Sequence, residues 1–255
     1  MLRRKRLERT MGPIVVDVGN TRIKWGLCSS TQVWSVAPLP NDDEKAWHKQ
    51  WQEWKIQREQ PWIVSGVDPT RRDALVAWLK GRCDTVHVLQ SAKQLPIQIE
   101  VEQPEKVGID RLLDAVAANT RRQDNVAAIL VDAGSAVTVD YVDAKGIFRG
   151  GAIYPGFRLM AKALHDYTAQ LLLVEIDEEA APPGTSTVHA IQAGVLHAVV
   201  GGIEQLILMY QHRYPTAFEI FLTGGDAPAL AGKLRHPVHL WPEMTLEGIL
   251  HSRPS

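Results

Sequence analysis

The sequence predicts an α/β protein of two tandem domains with mixed sheets, laid out along 255 residues. Three observations carry that expectation. Short β-branched runs alternate with helical patterns along most of the chain. The chain opens on strand segments joined by a tight polar turn, so an antiparallel start precedes the alternation, as in a mixed sheet covered by helices. The opening pattern then returns 115 positions later, where Asp132-x-Gly-Ser matches Asp17-x-Gly-Asn.

In the first half, Ile14-Val15-Val16 is a β-branched run that ends in the glycine turn Asp17-Val18-Gly19-Asn20-Thr21, and residues 23–27 and 32–37 continue as extended segments. Trp47, Trp51 and Trp54 recur at spacings of four and three, which places three indoles on one helical face that packs on a sheet. Residues 62–67 read as a buried strand, 70–80 as a helix capped by Thr70, and 85–89 as a strand. Leu112, Leu113, Val116 and Ala117 mark another helix, with Gly108 and Asp110 at its start. The polar residues 121–125 set the boundary, giving a tail over 1–12, a first domain over 13–122 and a second over 123–255.

In the second half, Ala128-Ile129-Leu130-Val131 leads into Asp132-Ala133-Gly134-Ser135, and residues 137–142 and 146–153 supply the next two strands. A helix starts near Phe157, Pro182-Pro183-Gly184 breaks the chain, and a long helix covers residues 187–210. A final strand over 218–222 runs into Thr223-Gly224-Gly225-Asp226, which opens a short helix over 227–234.

Composition excludes several classes. Twenty-eight basic residues face 29 acidic ones, and 45% of residues are apolar, so neither bulk disorder nor an overall nucleic-acid-binding charge is indicated. The basic start, MLRRKRLERT, reads as a tail, and nucleic acid is not an expected partner. Two cysteines without a C-x-x-C pair rule out a disulfide framework or a cysteine zinc site and point to a reducing cytoplasm. The longest apolar stretch, residues 194–209, is interrupted by His197 and Glu204 and falls short of the roughly 20 residues of a bilayer span, so no membrane is expected.

A turn of the form Asp-x-Gly-Asn-Thr gathers backbone N–H groups, a hydroxyl and a carboxylate at one tip, with Lys24 in the next strand. That set suits a phosphate with its metal: glycine admits phosphate oxygens, amides and lysine offset their charge, and Asp17 can hold hydrated Mg²⁺. The same residues also suit an ordinary tight turn. Two such tips favour the phosphate reading, since each can grip one side of a nucleotide. Neither a P-loop nor a G-x-G-x-x-G pattern is present. Asp110 followed by Arg111 offers a base and a cation for an acidic alcohol, although an aspartate at a helix start also serves as a first-turn residue.

Taken in order, DVGNTRIKWG from Asp17, P-x-x-V-G-x-D-R ending at Arg111, DAGSAVT from Asp132, GGAIYPG from Gly150, T-x-x-A-I-x-x-G from Thr187 and TGGDA from Thr223 resemble the type III pantothenate kinases. These belong to the acetate and sugar kinase, chaperone ATPase and actin superfamily. The resemblance implies two ribonuclease H-like domains and ATP-dependent phosphorylation of pantothenate, the first step towards coenzyme A. By position it implies ATP binding at Asp17, Val18, Gly19, Asn20, Thr21, Arg22, Ile23, Lys24 and Ser135, with Mg²⁺ supported by Asp17 through water. It further implies pantothenate binding at Gly108, Ile109, Asp110 and Arg111 with Asp110 as general base, and a monovalent cation such as K⁺ at Asp132. Thr187 would reach pantothenate across a homodimer interface, although it could equally be a helix cap. Within the same family, a kinase of another small hydroxy acid or a regulatory protein is the alternative.

Two positions depart from the common pattern: Ser135 replaces a more usual threonine, and Val101 stands where many members carry an aromatic residue. His165, His189 and His197 lack metal spacing, Trp25 and Trp241 are expected to pack, and Asp226 is expected to cap the helix after its turn.

Overall fold

The computed structural model describes residues 12–253, and the basic tail lies outside them except for its last residue. Two compact units result.

The first unit holds a sheet of β1 (Ile14–Val18), β2 (Ile23–Cys28), β3 (Val33–Leu39), β4 (Trp62–Gly66) and β5 (Val86–Leu89) in the order β3-β2-β1-β4-β5. β1, β2 and β3 pair antiparallel, while β4 and β5 run parallel to β1, so the sheet is mixed. Because side chains alternate along a strand, Ile14, Val16 and Val18 face one side and Val15 and Asp17 the other. The first face meets α1 (Glu44–Glu53) and α2 (Pro69–Lys80) in a core rich in tryptophan. Trp25 and Trp62 meet edge to face at 4.8 Å, and Trp51 stacks on Trp62 at 5.5 Å. Each such pair adds about 0.5–1.5 kcal/mol beyond the area it buries.

The second unit repeats this plan with β6 (Ala127–Ala133), β7 (Ala136–Val142), β8 (Phe148–Pro155), β9 (Phe218–Thr223) and β10 (His239–Leu240) in the order β10-β9-β6-β7-β8. Ala127, Ile129, Val131 and Ala133 of β6 face a core built with α5 (Thr187–Arg213), and Asp132 lies on the other face. The helices α4 (Phe157–Asp166) and α6 (Ala227–Ala231) complete it. The tandem duplication thus extends to all five strands. Two mixed sheets with this strand order form the expected pair of ribonuclease H-like folds.

The units are not cut once near residues 121–125. The helix α3 (Ile109–Arg121) contributes its residues up to Ala117 to the first unit, and the chain from Thr245 returns to that unit as most of α7 (Met244–His251). Packing explains the return. The Thr245 hydroxyl donates to Asp114 at 2.7 Å, and Gly248 sits so close that a Cβ there would lie 2.0 Å from the Leu113 carbonyl oxygen.

Three caps differ from expectation. Asp68, one residue before Pro69, caps α2 by accepting from the Arg71 N–H, because proline at the first helical position moves the start upstream of Thr70. Ser186 caps α5 by accepting from the His189 N–H, which makes Thr187 its first residue. Asp226 makes no capping bond on α6. α5 is also longer than the apolar stretch read from sequence. Its 27 residues include an 18-residue window of mean hydropathy 1.5, of which Val195, Val199, Ile203 and Ile207 are buried in the second unit's core.

Candidate active site

In the first unit, β1 and β2 project a turn closed by the Gly19 N–H donating to the Arg22 carbonyl at 3.1 Å. Strand register sets Asp17 directly opposite Lys24, on the sheet face away from the tryptophans. Val18 and Ile23 also pair across this hairpin, but both are buried in the core, so only their backbone is offered to a ligand. Asn20, Thr21 and Arg22 are exposed at the tip.

Asp110 lies in the first turn of α3, and its carboxylate folds back to accept from the Arg111 N–H at 2.9 Å. Gly108 makes room for it: a Cβ there would lie 2.6 Å from Asp110 Oδ1. Ile109 and Arg111 flank Asp110 at the partly buried helix start.

Electrostatics join these elements. Burial pushes the Asp17 carboxyl up to about 6, against the lowering effect of Lys24, and the charge of Asp110 adds to the rise. Burial also raises Asp110 above the ordinary carboxylate range, opposed by the Arg111 N–H and guanidinium. Two buried carboxyls, one of them raised further by the charge of the other, form a local demand for positive charge. Asp17 therefore fits Mg²⁺, which takes one or two protein carboxylates and completes its shell with water and phosphate. Among the described residues, no three His, Cys, Asp or Glu side chains gather into a ready-made metal cage.

In the second unit, three glycine motifs converge on the β6–β7 turn. The Gly156 N–H donates to the Ser135 carbonyl at 2.9 Å, and the Asp226 N–H donates to the Ala133 carbonyl at 2.9 Å. Gly224 has φ +101°, and a Cβ there would lie 2.2 Å from the Ala133 carbonyl oxygen and 2.5 Å from Asp132 Oδ1, so only glycine fits. Asp132 is matched by register with Thr138, where Asp17 has a lysine. The cross-strand position opposite the second tip's carboxylate is thus a threonine and not a lysine. Ser135 is exposed at this tip.

Asp226, free of its expected capping role, lines a cavity of about 720 Å³ with Phe157, Arg158 and Glu178. Its carboxyl is raised by burial and opposed by Arg158. Thr187 is exposed and borders an apolar hollow of about 710 Å³ between α4 and α5, with Leu164, Leu171 and Ile191. Val101 lies against Gly150. Trp25 and Trp241 are buried, as packing residues are.

One part of the repeat is absent from the sequence reading. Ser65-Gly66-Val67-Asp68, at the end of β4, occupies the place of Thr223-Gly224-Gly225-Asp226 at the end of β9. Asp17 pairs with Ser65 as Asp132 pairs with Thr223, and a Cβ on Gly66 would lie 2.5 Å from the Val18 carbonyl oxygen. The shared [Ser/Thr]-Gly-x-Asp spacing is the signal that could have found it.

The sequence profile of the type III pantothenate kinase family matches residues 13–208. The chain belongs to that family. A type III pantothenate kinase of Flavobacterium johnsoniae is 32% identical over 237 residues, which cover 92% of this chain and 95% of that one. Among solved structures, a conserved Baf family protein of Campylobacter jejuni superposes with a TM-score of 0.59 at 22% identity, covering 94% of this chain and 96% of the other. The activator of the 2-hydroxyisocaproyl-CoA dehydratase of Clostridium difficile, with bound ADPNP, gives 0.52 at 13% identity over 95% and 92%. These two likenesses show a shared fold across both halves of the chain. As a member of the pantothenate kinase family, the chain is an ATP-dependent phosphotransferase.

Proposed function

We propose that this kinase transfers the γ-phosphoryl group of ATP to the terminal hydroxyl of pantothenate, giving 4′-phosphopantothenate and ADP and so opening coenzyme A synthesis in the cytoplasm. Family membership supports the reaction, and one observation supports the residue assignment: the charge of Asp110 raises the carboxyl of Asp17 within a single unit. The base for the alcohol and the anchor for the phosphate then belong to one scaffold.

Phosphoryl transfer demands in-line placement and charge neutralisation more than covalent catalysis. Asp110 takes the hydroxyl proton, and a carboxyl raised above its ordinary range is a stronger base for that step. Arg111 faces the pantothenate carboxylate, with Gly108 and Ile109 shaping the approach. Gly19, Asn20, Thr21 and Arg22 present the tip to the phosphates, and Lys24 balances their charge. Asp17 holds the Mg²⁺ that accompanies ATP, whose chemistry is to neutralise phosphate charge. Asp132 would hold a monovalent cation such as K⁺, and Ser135 is a further ATP-binding residue.

The site is completed in a homodimer, with Thr187 serving the partner's substrate. Supporting this, the large apolar side chains Ile153, Leu159, Leu208 and Met209 are exposed on β8, α4 and α5 of one unit.

Asp110→Asn tests the assignment. A folded variant should lose roughly 10²–10⁴-fold in kcat, the contribution of a general base, with little change in KM for ATP. Full turnover in the folded variant would remove Asp110 from this role.

A further inference from the structure

The first tip is held from behind by two side chains outside every motif discussed so far. Asn41, 7% exposed, donates through Nδ2 to the Gly19 carbonyl at 3.2 Å and to the Asn20 carbonyl at 3.3 Å. Arg71, in the first turn of α2, donates through Nη1 to the same Asn20 carbonyl at 2.6 Å. Its guanidinium is oriented by Asp68 at 3.6 Å and Asp42 at 4.0 Å from Nε, so its charge is already engaged. Asp68 also accepts from the Arg71 N–H, which ties the side chain's anchor to the helix cap.

Peptide geometry converts this clamp into a statement about the ligand side. In a planar trans peptide the carbonyl and the N–H point in opposite directions. Drawing the Gly19 and Asn20 carbonyls towards Asn41 and Arg71 turns the N–H groups of Asn20 and Thr21 to the opposite side. Donors at the carbonyl end also polarise these peptides and strengthen the outward N–H groups as anion donors. We propose that Arg71 and Asn41 are positioning residues for ATP, fixing and polarising the two peptides whose N–H groups receive its phosphates. The inference rests on the proposed kinase reading and deepens it.

The second unit provides an internal comparison. Matching Gly66 with Gly224 and Asp68 with Asp226 puts Ala229 where the first unit has Arg71. The arginine donor therefore has no counterpart at that position in the second unit, where the Ser135 carbonyl accepts from the Gly156 N–H instead.

The test uses the full chain with R71Q and N41A, measuring steady-state kinetics with Mg–ATP and pantothenate, thermal melting, and calorimetric titration with Mg–ATP alone. The expected result is a rise in KM and Kd for ATP of roughly 10- to 100-fold, the range seen when outer-shell partners of a binding group are removed, with KM for pantothenate at saturating ATP unchanged. An ATP KM and Kd within twofold of wild type in R71Q would overturn the proposal. So would equal losses for both substrates together with a lowered melting temperature, since that pattern belongs to a general structural role. If the wild-type protein fails to phosphorylate pantothenate, the substrate reading fails, and the titration with Mg–ATP still decides the clamp.

Discussion

Replacing Asp17 with Asn should stabilise the unliganded protein at pH 8 while abolishing turnover. The Asp17 carboxyl is pushed from 3.8 to about 6, chiefly by burial. At about 1.36 kcal/mol per pH unit, that displacement corresponds to at most about 3 kcal/mol of native-state cost when the group is ionised. The figure is a ceiling because the side chain keeps some solvent contact, which screens its charge. The sign follows from proton counting. Below pH 3.8 both the folded and unfolded forms are protonated and no cost exists. Between 3.8 and about 6 the folded form alone retains its proton, so stability falls as pH rises, and above 6 the full cost remains. Asn mimics the neutral carboxyl at every pH. Urea unfolding at pH 4 and pH 8, followed by tryptophan fluorescence, reads the first unit through its buried indoles. The variant should exceed wild type by up to about 3 kcal/mol at pH 8 and match it at pH 4. Mg–ATP should stabilise wild type more than the variant. A variant less stable at pH 8, or a gap equal at both pH values, would mean that ionised Asp17 carries no such cost.

Three further outcomes are expected. Gly224→Ala places a Cβ 2.2 Å from the Ala133 carbonyl oxygen at φ +101°, so the second unit should lose roughly 1–3 kcal/mol in a denaturation assay; an unchanged midpoint would contradict the close approach. Cys28 and Cys83 are buried, with thiols pushed up to about 12 and about 11 chiefly by burial, so neither should react with a thiol reagent at pH 8 until the protein unfolds. Leu208→Asp should convert a dimer to a monomer in sedimentation velocity without lowering helix content, and a persistent dimer would place the interface elsewhere.

Much of the fold was legible in the sequence because it rests on local pattern. The β-branched runs at Ile14 and Ala128, and the Asp-x-Gly turns after them, are short-range signals, and both appear as paired strands where expected. What escaped depends on distant contacts. α7 joins the first unit through Thr245 and Gly248, whose partners lie on α3, and the two-residue β10 exists by pairing with β9. The caps moved by one or two residues because proline and serine at α2 and α5 compete with nearby threonines, a choice settled by backbone geometry. Within the candidate site, the sequence supplied the residues but not their coupling. That Asp110 raises the carboxyl of Asp17 follows from α3 packing, and no spacing between positions 17 and 110 encodes it. Asn41 and Arg71 are ordinary loop and helix residues until their contacts to the tip carbonyls are seen.

Phosphoryl transfer from ATP to pantothenate is read by phosphorus NMR of the full chain with Mg–ATP, pantothenate and K⁺. A new phosphomonoester signal on pantothenate should grow in step with ADP. Release of inorganic phosphate alone, or no turnover from folded, dimeric protein, would contradict it.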